Sequence, residues 1–180
     1  MSIELIAFDI GGVLATKNIQ GLNPNINNIL FDQDFWDFQR GKIKAACYLA
    51  KINRELGIKK PNFENLISAH GNISLLKKLK CPYVFASNIN ILHYEKFIRE
   101  AQPSLYALKN SVLSFELKHM KPEAIFFKSL INKNNFHPIN ILFIDDKLEN
   151  IKSALSSGLR VLWCETPHHL PGLLKDFINC

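Results

Sequence analysis

Short apolar runs alternate along this chain with stretches whose apolar residues recur at helical spacing. Residues 3–9 read as a first strand, built on Leu5, Ile6 and Ala7 and ending at Asp9, and residues 10–16 turn away from it. Pro24 stands where a helix could open, and the loosely spaced Ile26, Ile29, Leu30, Phe35 and Phe38 predict a helix running to Arg40 and stopped by Gly41. Ala46, Leu49, Ala50, Asn53 and Leu56 predict a second helix over 43–56, closed by Gly57. A third is expected from Pro61 to about residue 70, before Gly71, so that 17–71 reads as an all-helical block. Beyond it the predicted order is a short amphipathic helix over 73–80, an apolar run over 83–86 that ends at Ser87-Asn88, and a helix over 90–100. Then come an extended piece over 111–115, a helix over 122–133 and a strand over 139–144 that ends in Asp145-Asp146. A helix over 149–157 closed by Gly158, a strand over 159–163 and a short helix over 170–178 complete the chain.

Strands alternating with helices predict an α/β fold: a doubly wound parallel sheet with helices on both faces. The helical block is then an insertion after the first strand, dividing the chain into a core (1–16 and 72–180) and a small helical cap (17–71). The length of 180 residues and a hydrophobic share of 47% suit one domain with a modest insertion.

The formal charge is +6, but the lysines are scattered. The densest groups, Lys59-Lys60 and Lys77-Lys78-Leu79-Lys80, lack the aromatic or glycine interleaving of a nucleic-acid surface and read as solvated helix faces. No nucleic-acid or membrane partner is expected, and a small anionic substrate suits the same charge. Cys47, Cys81 and Cys164 lie among apolar neighbours and, with Cys180, show no metal-ligand spacing, which predicts buried free thiols and a cytoplasmic location. No run is long enough for a transmembrane helix, and no leader is expected, because Asp9 interrupts the one apolar stretch near the start. Oligomeric state is left open.

Under this reading Asp9, Ser87-Asn88 and Asp145-Asp146 fall at carboxyl ends of parallel strands, with Lys121 just before a helix. In an open sheet those ends converge on one crevice. Three ionised carboxylates sharing a small site call for a counter-charge. A divalent cation with oxygen ligands supplies it, and magnesium suits carboxylates that handle phosphate. An aspartate there can act as a nucleophile, while Ser87, the Asn88 backbone and Lys121 have the character needed to hold phosphoryl oxygens.

These residues resemble the motifs of the haloacid dehalogenase superfamily, which consists mainly of magnesium-dependent phosphatases. The first motif is similar to Phe8-Asp9-Ile10-Gly11-Gly12-Val13-Leu14, and the second to Phe85-Ala86-Ser87-Asn88. Lys121-Pro122-Glu123 resembles the third, and Phe143-Ile144-Asp145-Asp146 with the residues to Ile151 the fourth. The Gly-Gly pair points to a type IA subgroup with a small helical cap that includes sugar-phosphate phosphatases, and residues 38–43 resemble a cap segment there. The resemblance implies Asp9 as nucleophile and metal ligand, the Gly11 carbonyl as a second ligand, and Asp146 as the main acidic ligand with Asp145 beside it. It implies Ser87, Asn88 and Lys121 as phosphate-binding groups, Lys121 also offsetting the charge of Asp9, and Asn150 as a supporting partner. The substrate implied is a small phosphorylated metabolite, hydrolysed through an aspartyl-phosphate.

One position departs from the pattern. Gly11 stands where most phosphatases of the superfamily carry a second aspartate as general acid and base, a group generally worth about 10² to 10⁴ in rate. His93 and His119 are candidate substitutes. Two other readings follow: a fold kept for binding or regulation with weak turnover, and a metal-independent dehalogenase, which leaves Asp145-Asp146 unexplained.

Overall fold

The computed structural model describes residues 2–17, 32–56, 67–69, 72–79 and 81–178. Five strands form one parallel sheet: β1 (Leu5–Phe8), β4 (Tyr83–Ser87), β5 (Val112–Leu113), β6 (Ile141–Asp145) and β7 (Arg160–Trp163). Their spatial order is β5-β4-β1-β6-β7. The chain builds outward from β1 on one side and then returns to its other side, so the order reverses at β1. That is the position at which an open α/β sheet leaves a crevice beyond its strand ends.

The continuous apolar runs have a physical cause, since both sheet faces are covered. Leu5 and Ala7 of β1 face a core shared with Val84, Phe143 and two helices, α7 (Ala124–Asn134) and α8 (Leu148–Ser156). Ile6 and Phe8 face the opposite core with Phe85, Ile144, α3 (Ile73–Leu76), α4 (Ile91–Ala101) and α9 (Leu170–Leu173). The doubly wound α/β architecture expected from the sequence is therefore present. A last helix, α10 (Lys175–Ile178), continues the C-terminal turn.

Within the inserted segment, α1 (Gln33–Gln39) and α2 (Ala45–Leu56) form where helices were expected. Asp32 caps α1, its Oδ1 accepting from Phe35 N at 2.9 Å, and Gly41 ends the turn with φ +61°. Phe35, Phe38, Tyr48 and Ile52 join the two helices, with Phe38 and Tyr48 stacked at 4.6 Å, and Ile91 and Leu92 of α4 pack against them. This is how the insertion rests on the core.

The all-helical expectation fails at the insertion's ends. β2 (Ala15–Lys17) pairs antiparallel with β3 (Ile67–Ala69), as Ala15↔Ala69, Thr16↔Ser68 and Lys17↔Ile67. Residues 67–69, expected as the end of a helix, are a strand because a partner 50 residues away completes their ladder, an influence that local spacing does not carry. The ribbon straddles the expected boundary at 16/17 and ties the start of the insertion to its end. The polar stretch 18–28 with Pro24, and most of the helix expected from Pro61, lie outside the described residues.

Two further differences lie beside β5. Only Val112–Leu113 is extended, and Ser114 already opens a one-turn helix, α6 (Ser114–Leu117). α5 (Leu105–Asn110) was not expected, although Ser104 caps it, its Oγ accepting from Ala107 N at 3.2 Å. The cysteines also differ from expectation: Cys164 is buried, Cys81 half-buried and Cys47 exposed, and these three are free. Among the described residues no helix is long and apolar enough to cross a membrane.

Candidate active site

Asp9 follows β1 directly, and its N–H donates to Ile144 O at 2.8 Å, so the sheet itself sets its position. The next residues curl back at once: Leu14 N and Ala15 N both donate to Ile10 O, and Gly12 N donates to Ala15 O at 2.7 Å. Gly12 has φ +101°, and a Cβ there would lie 2.4 Å from Asp146 Oδ2. Only glycine permits both the backbone conformation and that approach. The loop thus brings the first acidic residue and the last ones into one cluster, in which Asp9, Asp145 and Asp146 offer oxygens all within 4.8 Å of one another.

The three carboxylates are not equivalent. Asp145 is wholly buried, and both of its carboxylate oxygens accept hydrogen bonds within the protein. Lys121 Nζ donates to its Oδ2 at 2.6 Å, Lys147 N to its Oδ1 at 2.8 Å, and Asn150 Nδ2 to both oxygens at 3.0 and 3.1 Å. Asp9 Oδ1 accepts from Ile10 N at 2.8 Å and from Ser87 Oγ at 2.6 Å, with Lys121 Nζ 3.1 Å away. Asp146 lies against Gly12, half-buried, with its Oδ1 enclosed by the protein.

Lys121 is the hub. Its ammonium is fully buried, bonds Asp145 and the Ala86 carbonyl (2.7 Å), and lies 5.2 Å from the Phe143 ring centre. Burial works against its charge, but the fields of Asp145 and Asp9 outweigh that and hold its pKa above the ordinary lysine value. Burial also raises the Asp145 carboxyl; Lys121 pulls it down, and the Asp9 charge pushes it up. Asn88 fixes the lysine from outside, its Nδ2 donating to Lys121 O and its Oδ1 accepting from Lys121 N, each at 2.8 Å. The structure therefore brings Asp9, Ser87, Asn88, Lys121, Asp145, Asp146 and Asn150 together. Gly11 lies buried on the same loop.

Three carboxylates and one ammonium leave a formal charge of −2 in this cluster. That residue of charge, with hard oxygen donors, fits a divalent cation such as magnesium. Asp9, Asp145 and Asp146 are the side chains that could hold it.

The two histidines separate. His93 is buried and its Nδ1 meets Asn90 Nδ2 at 3.0 Å, while its own N–H donates to Asn90 Oδ1, so it serves the cap of α4. His119 is partly exposed and its Nδ1 meets Glu123 Oε2 at 2.6 Å. His119, Glu123 and Lys118 form one wall of a groove of about 560 Å³, and Gln33, Asp37, Arg40 and Lys42 of the insertion form the other. Arg40 faces Glu123 across it at 3.6 Å. Trp36 sits edge-on to Phe35 at 5.1 Å.

Several residues escaped the sequence reading. Asn72 Nδ2 donates to Val13 O (3.0 Å) and to Pro167 O (2.6 Å), fastening the loop after Asp9 to the C-terminal segment. Ser114 Oγ bonds Gln39 O at 2.7 Å and accepts from Ile89 N at 3.0 Å, joining the insertion to the loop after Ser87. Trp163 Nε1 donates to Asp146 O at 3.0 Å. Nothing local marks any of these, since each acts on backbone far away in the chain.

No family model matches the chain. A sesquiterpene phosphatase of Aspergillus oryzae is 25% identical over 170 residues, spanning 84% of this chain and 85% of that protein. Among solved structures, the magnesium complex of a haloacid dehalogenase (HAD) family enzyme from Bacteroides thetaiotaomicron superposes with a TM-score of 0.80 at 23% identity, covering 97% of this chain and 100% of that one. The same enzyme's complex with magnesium and inorganic phosphate gives 0.75 at 23% identity, over 90% and 94% of the two chains. A HAD-like family hydrolase from Porphyromonas gingivalis gives 0.77 at 19% identity, over 97% and 98%. The fold of this chain is that of HAD family enzymes, as its four motifs led one to expect.

Proposed function

We propose that this protein is a magnesium-dependent phosphatase that hydrolyses a small phosphorylated metabolite through an aspartyl-phosphate on Asp9. The observation that carries the reading is the −2 cluster at the sheet's switch point, with a buried lysine and a serine hydroxyl on one carboxylate. In support stand the phosphatase named among the relatives and the magnesium and phosphate bound by a structural neighbour.

Three donors on Oδ1 fix the Asp9 carboxylate in one orientation, as a nucleophile requires. Asp9 attacks phosphorus, the bond to the leaving oxygen breaks, and that oxygen takes its proton from water. Water then attacks the aspartyl-phosphate and returns Asp9 as a carboxylate. Ser87 and Lys121 stand beside Asp9 to hold phosphoryl oxygens, and Lys121 offsets the charge that builds on them. Asp9, Asp145, Asp146 and the Gly11 carbonyl would hold the cation, which would supply neutralising charge to the phosphoryl group. Asn150 keeps Asp145 turned toward Lys121, and Asn88 keeps Lys121 in register with β4. Residues 17–71 serve as the cap. Among the described residues, the side chains lining the groove between cap and core are polar or charged, which favours a hydroxylated leaving group such as a sugar. A cytoplasmic setting belongs to the same reading.

Gly11 leaves the leaving-group proton without the usual aspartate, so aryl, acyl and anomeric phosphates are expected to turn over faster than simple alkyl phosphates. The test is phosphate release from an aryl phosphate, a hexose 1-phosphate, an alkyl phosphate and an isoprenyl phosphate, with and without magnesium, in wild type and Asp9→Asn. Release that needs magnesium and Asp9 supports the proposal. Phosphate binding without turnover would assign the fold to binding or regulation, and halide release without metal would assign it to a dehalogenase.

A further inference from the structure

Asp146 differs from the other two acidic residues in how it is held. Asp9 is fixed by β1, and Asp145 is the last residue of β6 with its carboxylate bonded on both oxygens. Asp146 lies beyond the strand, on the short turn before α8 begins at Leu148. The sheet's ladder ends just short of it, where Cys164 N donates to Asp145 O at 3.0 Å. One side chain continues that support by a single residue. Trp163 stands in register with Asp145 at the end of the edge strand β7, and its indole N–H reaches across to Asp146 O at 3.0 Å. The ring is 47% exposed, so its place is not explained by burial of apolar surface. An aromatic left half in solvent at a sheet edge, with its one polar atom spent on the backbone of an acidic residue, behaves as a prop for that residue.

We propose that Trp163 is a positioning residue for Asp146 and thereby sets the affinity of the acidic cluster for a divalent cation. The proposal rests on the reading of that cluster as a magnesium site. Two features of the fold bear directly on where Asp146 sits. The missing Cβ of Gly12 leaves room for the Asp146 carboxylate, and the Trp163 indole keeps its backbone from swinging away. Without the indole bond, Asp146 O turns to solvent and the carboxylate samples positions outside the cluster. The free protein then pays an ordering cost on binding the cation. One hydrogen bond of this kind corresponds to about a 2- to 10-fold change in affinity.

The experiment is a magnesium titration of wild type, Trp163→Phe and Asp146→Asn by calorimetry, with thermal unfolding of each in EDTA. Trp163→Phe keeps an aromatic ring at the sheet edge and removes the donor. The expected result is a magnesium Kd raised about 2- to 10-fold in Trp163→Phe, with the EDTA unfolding temperature close to wild type, and a larger loss in Asp146→Asn. A spectroscopic signature accompanies it. In Trp36→Phe, which leaves Trp163 as the sole tryptophan, indole fluorescence should change with magnesium and saturate at the calorimetric Kd. Equal magnesium affinity in wild type and Trp163→Phe, with wild type binding normally, overturns the positioning role alone. Failure of wild type to bind magnesium at millimolar concentration overturns both that role and the metal site beneath it.

Discussion

Gly12→Ala tests the geometry of the cluster most directly. The added Cβ would lie 2.4 Å from Asp146 Oδ2 and 2.5 Å from its Cγ, against an ordinary contact of 3.4 to 4 Å, so something must move by about 1 Å. The neighbour that gives is the Asp146 side chain, because its backbone is held by the Trp163 indole and by the end of the sheet. Separately, alanine at φ +101° carries a backbone cost of about 1–3 kcal/mol. In a chain of this length each kcal/mol is about 2–4 °C in Tm, so a fall of roughly 2–12 °C is expected. Displacing a reacting group by about 1 Å costs on the order of 10²-fold in kcat/KM. Gly158→Ala supplies the control. It shares a positive φ, +86°, but its Cβ would meet only Pro138 Cβ at 3.4 Å. Both variants should lose comparable stability, and only Gly12→Ala should lose magnesium affinity, by tenfold or more in a calorimetric titration. If Gly12→Ala bound magnesium as wild type does while matching the stability loss of Gly158→Ala, the close approach of Gly12 would have no part in placing Asp146.

Lys121→Met leaves Asp9 and Asp145 without their buried counter-charge and should destabilise the protein by about 3–5 kcal/mol in EDTA, with part of the loss recovered on adding magnesium; an unchanged Tm would contradict the hub role. Burial is the largest single influence on Asp32 and pushes its carboxyl up, but Lys51 and the Phe35 and Asp34 amides together outweigh it and hold the carboxyl below its ordinary value. Because the folded pKa is the lower one, this contribution is present above about pH 4 and fades as pH falls through the folded value. Asp32→Asn, which keeps the cap acceptor, should therefore unfold about 1–2 °C below wild type at pH 6, after screening of a partly exposed pair, and the gap should close near pH 3; a gap that widens in acid reverses the sign of the reasoning. Burial, with the nearby Asp146 charge, pushes the Cys164 thiol up to about 11, whereas Cys47 is exposed. Iodoacetamide at pH 8 should label Cys47 and spare Cys164 until the protein is denatured, as peptide mapping by mass spectrometry would record.

The four clusters that meet at the crevice were legible because each has a local cause. A parallel strand buried on both faces must be an apolar run, as 5–8, 83–87 and 141–145 are, and a polar residue at its carboxyl end then stands out. Asp9, Ser87 and Asp145-Asp146 could be read from the chain for that reason, and so could helix ends such as Gly41 and Gly158, where a positive φ selects the residue. The pairing of 15–17 with 67–69 could not, since neither segment alone prefers a strand strongly enough to declare one. Nor could the division of labour between the two adjacent acids. In sequence Asp145 and Asp146 look alike; in the fold one is bonded to Lys121 and Asn150, and the other lies against Gly12. The sequence by itself determined which chemistry is present: carboxylates, one hydroxyl and one ammonium at strand ends. Only the tertiary structure decided which carboxylate each donor takes and that Asn72, Ser114 and Trp163 hold the frame, because those are contacts to backbone atoms many residues away and every residue's backbone offers the same groups.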